Sequence, residues 1–299
     1  MLREDTGQIS KAIDGLPTLP VVALRLGEVI HSKNVSVNQI AELLKADPSI
    51  SAKLLRLVNS PYFGIPGGVS DVARAIPFVG FNTLYQLVLG ISVLEALDVP
   101  GGARSLWMHS LTVATAAKEL ASELRSPDEG ACFTAGLLHD MGKIALAKVV
   151  PEKLAAASAA VHREGITLQE AERRFELAPH DRVGARLAKQ WRFPANLATP
   201  IEQHHGIHKP GVRDRLAPNL RTITEIVTAA DYVAHSAADT FGDSHGAAES
   251  DPETAELLAR NGYSGDKIQQ LCSRTLLQLE RSKVFLSVLD GPEHAAKAG

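Results

Sequence analysis

The chain has 299 residues, 45% of them hydrophobic and 22% charged, the proportions of a soluble globular protein with one large domain or two smaller ones. With 31 Lys and Arg against 34 Asp and Glu, the formal net charge is -3, which excludes a broad electrostatic grip on nucleic acid or an anionic membrane. Two cysteines, Cys132 and Cys272, supply neither a disulfide framework nor zinc-finger spacing, which suits a reducing, cytoplasmic setting.

Helical periodicity dominates, and no segment has a convincing strand pattern. The rigid Leu16-Pro17-Thr18-Leu19-Pro20 leads into a helix with Val22, Leu26, Val29 and Ile30 on one side. Ser36 with Gln39 reads as a capping box for a helix over 37–45. Asp47-Pro48 reads as an N-cap followed by proline at the first helical position. Ser70 is the expected cap of a short helix, which Gly80 separates from an apolar helix near 82–97. That last stretch is interrupted by Gln86, Gly90 and Ser92 and is short for a membrane span. The first residues, Met1 to Asp5, are acidic where a signal peptide needs an apolar run. These short helices predict an N-terminal bundle over 1–100, closed by the boundary signal Val99-Pro100-Gly101-Gly102.

Longer helices are expected near 106–124, 131–150, 168–191 and 217–236, giving a second helical unit over 101–238. A third region, 239–299, combines an exposed loop over 239–253, an amphipathic helix near 267–289 carrying Phe285, and a frayed tail from His294. The fold class expected is all-α.

The chemistry lies in the second unit. His139-Asp140 sits in an apolar run, where an uncompensated carboxylate costs several kcal/mol. His109 shares the buried stripe of its helix with Leu106, Val113, Ala117 and Leu120. Asp231 lies between Val227 and Ala234 on an inner face, with neither Arg213 nor Arg221 at helical spacing to meet it. His204-His205 precede Gly206, which reads as a C′ glycine, and His180 follows Pro179. Taken singly, these residues have ordinary explanations: a core imidazole bonded to a carbonyl, a dipole-facing pair, a capping histidine. Taken together, five imidazoles and two carboxylates suit one or two divalent transition metals, with a carboxylate able to bridge the pair. Thiolate ligands are missing from the pattern, which excludes a cysteine-type structural zinc.

This ordered set resembles the HD metal-dependent phosphohydrolase superfamily. Over roughly residues 13–236 the chain is similar to its HDOD family, the HD-related output domains of bacterial signalling proteins. The resemblance rests on Asp47-Pro48-Ser49-Ile50 through Asn59-Ser60, on Ala75-Ile76-Pro77-Phe78-Val79-Gly80, and on Trp107-Met108-His109-Ser110. It continues in the string around His139 and in His180 through Trp191-Arg192-Phe193-Pro194 to His204-His205. It implies an N-terminal helical bundle followed by an HD-type helical domain, and a regulatory role. It also implies one metal on His109, His139, Asp140 and Asp231, and a second sharing Asp140 and using His180, His204 and His205. The ions implied are iron or manganese, with zinc also compatible. Lys143 matches the lysine that faces a substrate phosphate, so Asp140 and Lys143 are the catalytic candidates.

The family's cyclic-dinucleotide phosphodiesterases carry a Gly-Tyr-Pro segment soon after the histidine pair, whereas Gly206-Ile207-His208-Lys209-Pro210-Gly211 follows here. Ser105 stands where three-metal members have glutamate. Cyclic di-GMP hydrolysis and a third metal are therefore not expected. Two readings remain open at this level. One is a metal-dependent phosphohydrolase acting on a phosphate ester or nucleotide. The other is a non-catalytic module with a structural metal, contacting signalling proteins such as kinases or diguanylate cyclases. Nucleic acid and membrane are not expected partners.

Overall fold

The computed structural model describes residues 9–30, 32, 34–98, 104–126, 128–209, 211–239 and 252–282. Every regular element among these residues is a helix, and none is a strand. They divide into two compact units, one of residues 17–98 and 278–282, the other of residues 9–16 and 104–277.

The first unit contains α1 (Val21–Ile30), α2 (Val37–Lys45), α3 (Pro48–Val58), α4 (Val72–Val79) and α5 (Phe81–Ala96). Local chemistry sets their starts. The Gln39 N–H donates to Ser36 Oγ at 3.2 Å, and the Ile50 N–H donates to Asp47 Oδ1 at 3.1 Å, with Pro48 opening α3. Ser70 is not the cap of α4. Asp71 takes that place, its Oδ1 accepting the Arg74 N–H at 3.0 Å, because a carboxylate also answers the positive end of the helix. Gly80 adopts φ +78°, the left-handed region that favours glycine, and the chain bends by 116° between α4 and α5. Helix α5 is buried along residues 84–94, with α1, α3 and α4 packed against it. Full burial of Ile50, Leu54 and Leu57 on α3 contributes about 1.5–3 kcal/mol per side chain. Among the described residues no single helix is long and apolar enough to cross a membrane.

The second unit contains α6 (Arg104–Glu123), α7 (Glu129–Leu138), α8 (Met141–Val149), α9 (Pro151–Glu164), α10 (Leu168–Arg174), α11 (His180–Gln190), α12 (Ala195–Gln203), α13 (Val212–Arg215), α14 (Pro218–Asp239), α15 (Pro252–Arg260) and, up to Leu277, α16 (Asp266–Ser282). Residues 9–14 are helical and tied to α11 by ion pairing between Asp14 and Arg186. Helix α6 packs on α7 and α14, α12 packs on α7, α11 and α14, and α8 packs on α11. Where they meet lies a buried cluster of imidazoles and carboxylates.

Three sequence expectations need correction here. The helix expected over 131–150 is two helices, α7 and α8. His139 Nδ1 takes the Gly136 carbonyl at 2.7 Å, an acceptor that a continuous helix would give to the Asp140 N–H. The helix expected over 168–191 breaks between Arg174 and His180. Glu176 is left-handed at φ +57°, and Pro179 disfavours helix at the residue before it. Gly206 is not a left-handed C′ glycine, since its φ lies outside the positive region and the turn continues through Gly206 N–H to Gln203 O at 2.8 Å. The boundary signal at 99–102, most of the expected loop over 239–253, Phe285 and the tail lie outside the described residues.

Candidate metal centre

Each helix delivers its donors for a local reason. His109 comes from α6, Lys143 from the first turn of α8, His180 opens α11, His204-His205 follow the end of α12, and Asp231 lies within α14. The break after α7 aims His139 and Asp140 into the same space. All seven side chains expected as ligands from the sequence meet here, and Lys143 joins them.

Asp140 is the hub, 1% exposed. Its Oδ2 lies 3.2 Å from His139 Nε2 and 3.6 Å from His109 Nε2, while its Oδ1 lies 3.6 Å from His180 Nε2 and 3.7 Å from His204 Nε2. The two oxygens thus face two separate groups of imidazoles. Asp231 Oδ1 stands 3.0 Å from His109 Nε2 and 3.7 Å from His139 Nε2. On the other side His205 Nε2 and His180 Nε2 are 3.0 Å apart. Three sets of donors lie close enough to share an ion: His109, His139 and Asp231; His139, Asp140 and His204; and His180, His204 and His205.

Hydrogen bonding on the far side of the rings fixes their tautomers. His139 Nδ1 meets the Gly136 carbonyl, His204 Nδ1 lies 3.1 Å from the Ile201 carbonyl, and His180 Nδ1 lies 2.7 Å from Glu172 Oε1. Each partner can only accept, so Nδ1 carries the hydrogen and Nε2 of the neutral ring turns a lone pair inward. His109 Nε2, His139 Nε2, His204 Nε2, both Asp140 oxygens and Asp231 Oδ1 are buried without a hydrogen bond of normal geometry. This holds for Asp140 Oδ2 even though Lys143 Nζ approaches it to 2.8 Å. One such orphan costs about 1–3 kcal/mol. Donors bound to one cation at ~2.1 Å stand ~3.0–3.4 Å apart, close to the shorter approaches seen here. The residues fit a divalent metal centre.

Electrostatics agree. Burial pushes the His204 imidazole down to about 3, and His205 well below its ordinary value, so both are neutral at pH 7. Burial opposes ionisation of Asp140 and Asp231, but His139 and Lys143 around the first, and His235 and His109 around the second, hold both carboxyls well below the usual range. Burial also opposes protonation of His139, yet Asp140 and Asp231 outweigh it and raise its affinity for a proton, which an incoming cation would displace.

A pH dependence follows for the metal-free protein. Burial lowers His235 to about 4, in the same direction as His204 and His205. These rings stay neutral when folded but take up protons near pH 6.5 when unfolded, so stability is present above pH 6.5 and is lost as pH falls. His204 and His235 each account for about 1 kcal/mol between pH 7.5 and 5.5. His139, shifted the other way, works against this loss. Urea midpoints measured at the two pH values should fall on acidification.

Two residues of the centre escaped the sequence reading. His235 Nε2 lies 3.4 Å from Asp231 Oδ1, and its i+4 spacing from Asp231 was the available signal. Glu172, 0% exposed, takes both the backbone N–H of His180 at 3.2 Å and its Nδ1. In sequence it hides among Glu170, Arg173 and Arg174 in what looks like a solvated charged helix.

Residues 16–207, well over half of the chain, match the HDOD domain family. The chain belongs to the HDOD family. The match ends before α14, so Asp231 and His235 lie beyond it. A solved HDOD domain protein of unknown function from Geobacter sulfurreducens is 23% identical, with a TM-score of 0.71 over 95% of this chain and 98% of that one. A solved "Putative phosphohydrolase" from Shewanella amazonensis SB2B is 24% identical, with a TM-score of 0.69 over 95% and 98% of the two chains. These likenesses establish the HDOD fold. An uncharacterized protein of Treponema pallidum (strain Nichols) is 26% identical over 72% of this chain, which spans only 42% of that relative's length.

In this HDOD chain the Glu172–His180 pair has the arrangement of a carboxylate that orients and strengthens a metal-binding imidazole. Glu172→Gln is expected to weaken retention of a cation held by His180 ~10–100-fold, as measured by chelator competition.

Proposed function

We propose that this HDOD protein holds two divalent transition-metal ions, one on either side of Asp140, and uses them to hydrolyse a phosphate ester or nucleotide in a signalling context. The observation that carries this reading is the division of labour at Asp140. One oxygen faces His109 and His139, the other His180 and His204. Asp231 would complete the first position and His205 the second. Nitrogen and carboxylate donors suit iron, manganese or zinc. Bound there, the metal pair would supply a strongly polarised water and a positive field for the phosphoryl oxygens.

The chain's own residues do the rest. Glu172 holds His180 in the tautomer that presents Nε2, and the Gly136 carbonyl does the same for His139. Thr228 Oγ1 donates to the His204 carbonyl at 2.8 Å and fixes the turn that carries the histidine pair. Lys143 neutralises Asp140 and is the ammonium placed to meet a phosphoryl oxygen at the centre.

A second reading has one specific observation in its favour. Lys143 is only 9% exposed and is turned onto Asp140, so its charge is already spent inside the protein. The metal would then be a clamp on α6, α8, α11, α12 and α14, and the output would be contact with a signalling protein such as a kinase or a diguanylate cyclase. One experiment separates the two: wild type loaded with iron or manganese is screened against phosphomonoesters, nucleotides and cyclic dinucleotides, beside Lys143→Ala. Turnover that needs metal and falls in the variant supports hydrolysis. Metal-loaded wild type with no turnover on any of them favours the clamp.

A further inference from the structure

Asp231 Oδ1 is a buried acceptor at which three imidazole nitrogens converge: His109 Nε2, His139 Nε2 and His235 Nε2. The resemblance accounts for the first two. His235 reaches the same oxygen because it stands one helical turn after Asp231 on α14, and its ring centre lies 4.7 Å from that of His109. The ordinary explanation would be an i,i+4 histidine donating a hydrogen bond to an aspartate. That bond is not made: at 3.4 Å the Asp231 oxygen still lacks a hydrogen bond of normal geometry. At 3.4 Å the two atoms are within the span of donors on one ion, although His235 stands outside the three tightest donor sets and its ring must close in slightly to join His109 and Asp231.

We infer that His235 is a fifth protein ligand of the cation held by His109, His139, Asp140 and Asp231. The inference rests on the metal centre proposed above and makes its two positions unequal. The first has three imidazoles and two carboxylates. The second has His180, His204, His205 and the other oxygen of Asp140, with one carboxylate fewer. More donors and more negative charge bind a divalent cation more tightly, so the first position fills first and empties last.

The test is a cobalt(II) titration of the metal-free full-length protein, comparing wild type with His235→Gln and His235→Ala. The readouts are the visible absorption of the bound ion, which reports coordination number, and chelator competition for each equivalent. His235 is partly exposed, so alanine should be tolerated, and circular dichroism checks the fold. The expected result is two unequal equivalents in wild type, with both variants weakening the tighter one ~100-fold or more and altering its absorption. Should glutamine preserve affinity and spectrum, His235 merely braces Asp231 and the inference fails. Wild-type behaviour in the alanine variant would also overturn it while leaving the metal centre standing. A wild type that takes up no cobalt overturns both.

Discussion

Replacing Asp140 with alanine is expected to abolish binding of both cations and to cost the metal-free protein about 3 kcal/mol. The loss of metal follows from position, since each carboxylate oxygen faces a different imidazole group. The loss of stability has another origin. Lys143 Nζ pairs with Asp140 Oδ2 at 2.8 Å in a place with little access to water. Removing one partner of a buried pair leaves the other charge uncompensated, which typically costs about 3–5 kcal/mol. The lower figure is expected here because Asp231 remains among the charges acting on Lys143. The double variant Asp140→Ala, Lys143→Met should therefore recover most of the stability and none of the metal. Chemical denaturation and metal analysis of the two single variants and the double variant separate these effects. If the double variant is as unstable as Asp140→Ala, the buried-charge explanation is wrong.

Gly142→Ala should be the most damaging single-methyl change in the second unit, destabilising it by about 3 kcal/mol and displacing the metal ligands. A Cβ at Gly142 would run into the His180 carbonyl oxygen and stand 2.7 Å from the Gly184 N. Both obstacles are backbone, so relief requires α8 and α11 to part. Those helices bring Asp140 and His180 within 3.6 Å of each other at the centre. Overpacking usually costs about 1–3 kcal/mol, and the upper end applies where only backbone can yield. Gly184→Ala is the control. Its Cβ would stand 2.7 Å from one side-chain atom, Ile201 Cγ2, and would meet backbone only at 3.5 Å, so a smaller loss is expected. Equal urea midpoints for the two variants would contradict this account of the helix contact.

The sequence shows the helical class and the cast of the centre, because apolar periodicity and misplaced polar residues are both local signals. Asp231 stood out because an acid on an inner face needs a reason, and the structure supplies imidazoles as that reason. What the sequence hides depends on competition for partners. Nothing in Leu137-Leu138-His139-Asp140-Met141 says that His139 will take the Gly136 carbonyl and break the helix. Ser70 and Asp71 are both competent caps, and only the observed bond decides between them. Glu172 looks solvated until the fold carries it to His180, eight residues on and past a break that the periodicity does not show. Lys143 is marked in the sequence only by its likeness to a phosphate-facing lysine, and its pairing with Asp140 emerges only in the fold.

The central claim is that two cations share Asp140. Crystals of the protein grown with manganese, recorded at an energy where manganese scatters anomalously, test it most directly. Two peaks per chain are expected, ~3.5–4 Å apart and straddling the Asp140 carboxylate, one among His109, His139 and Asp231, the other among His180, His204 and His205. No peak at Asp140, or manganese held only by other residues, would contradict it.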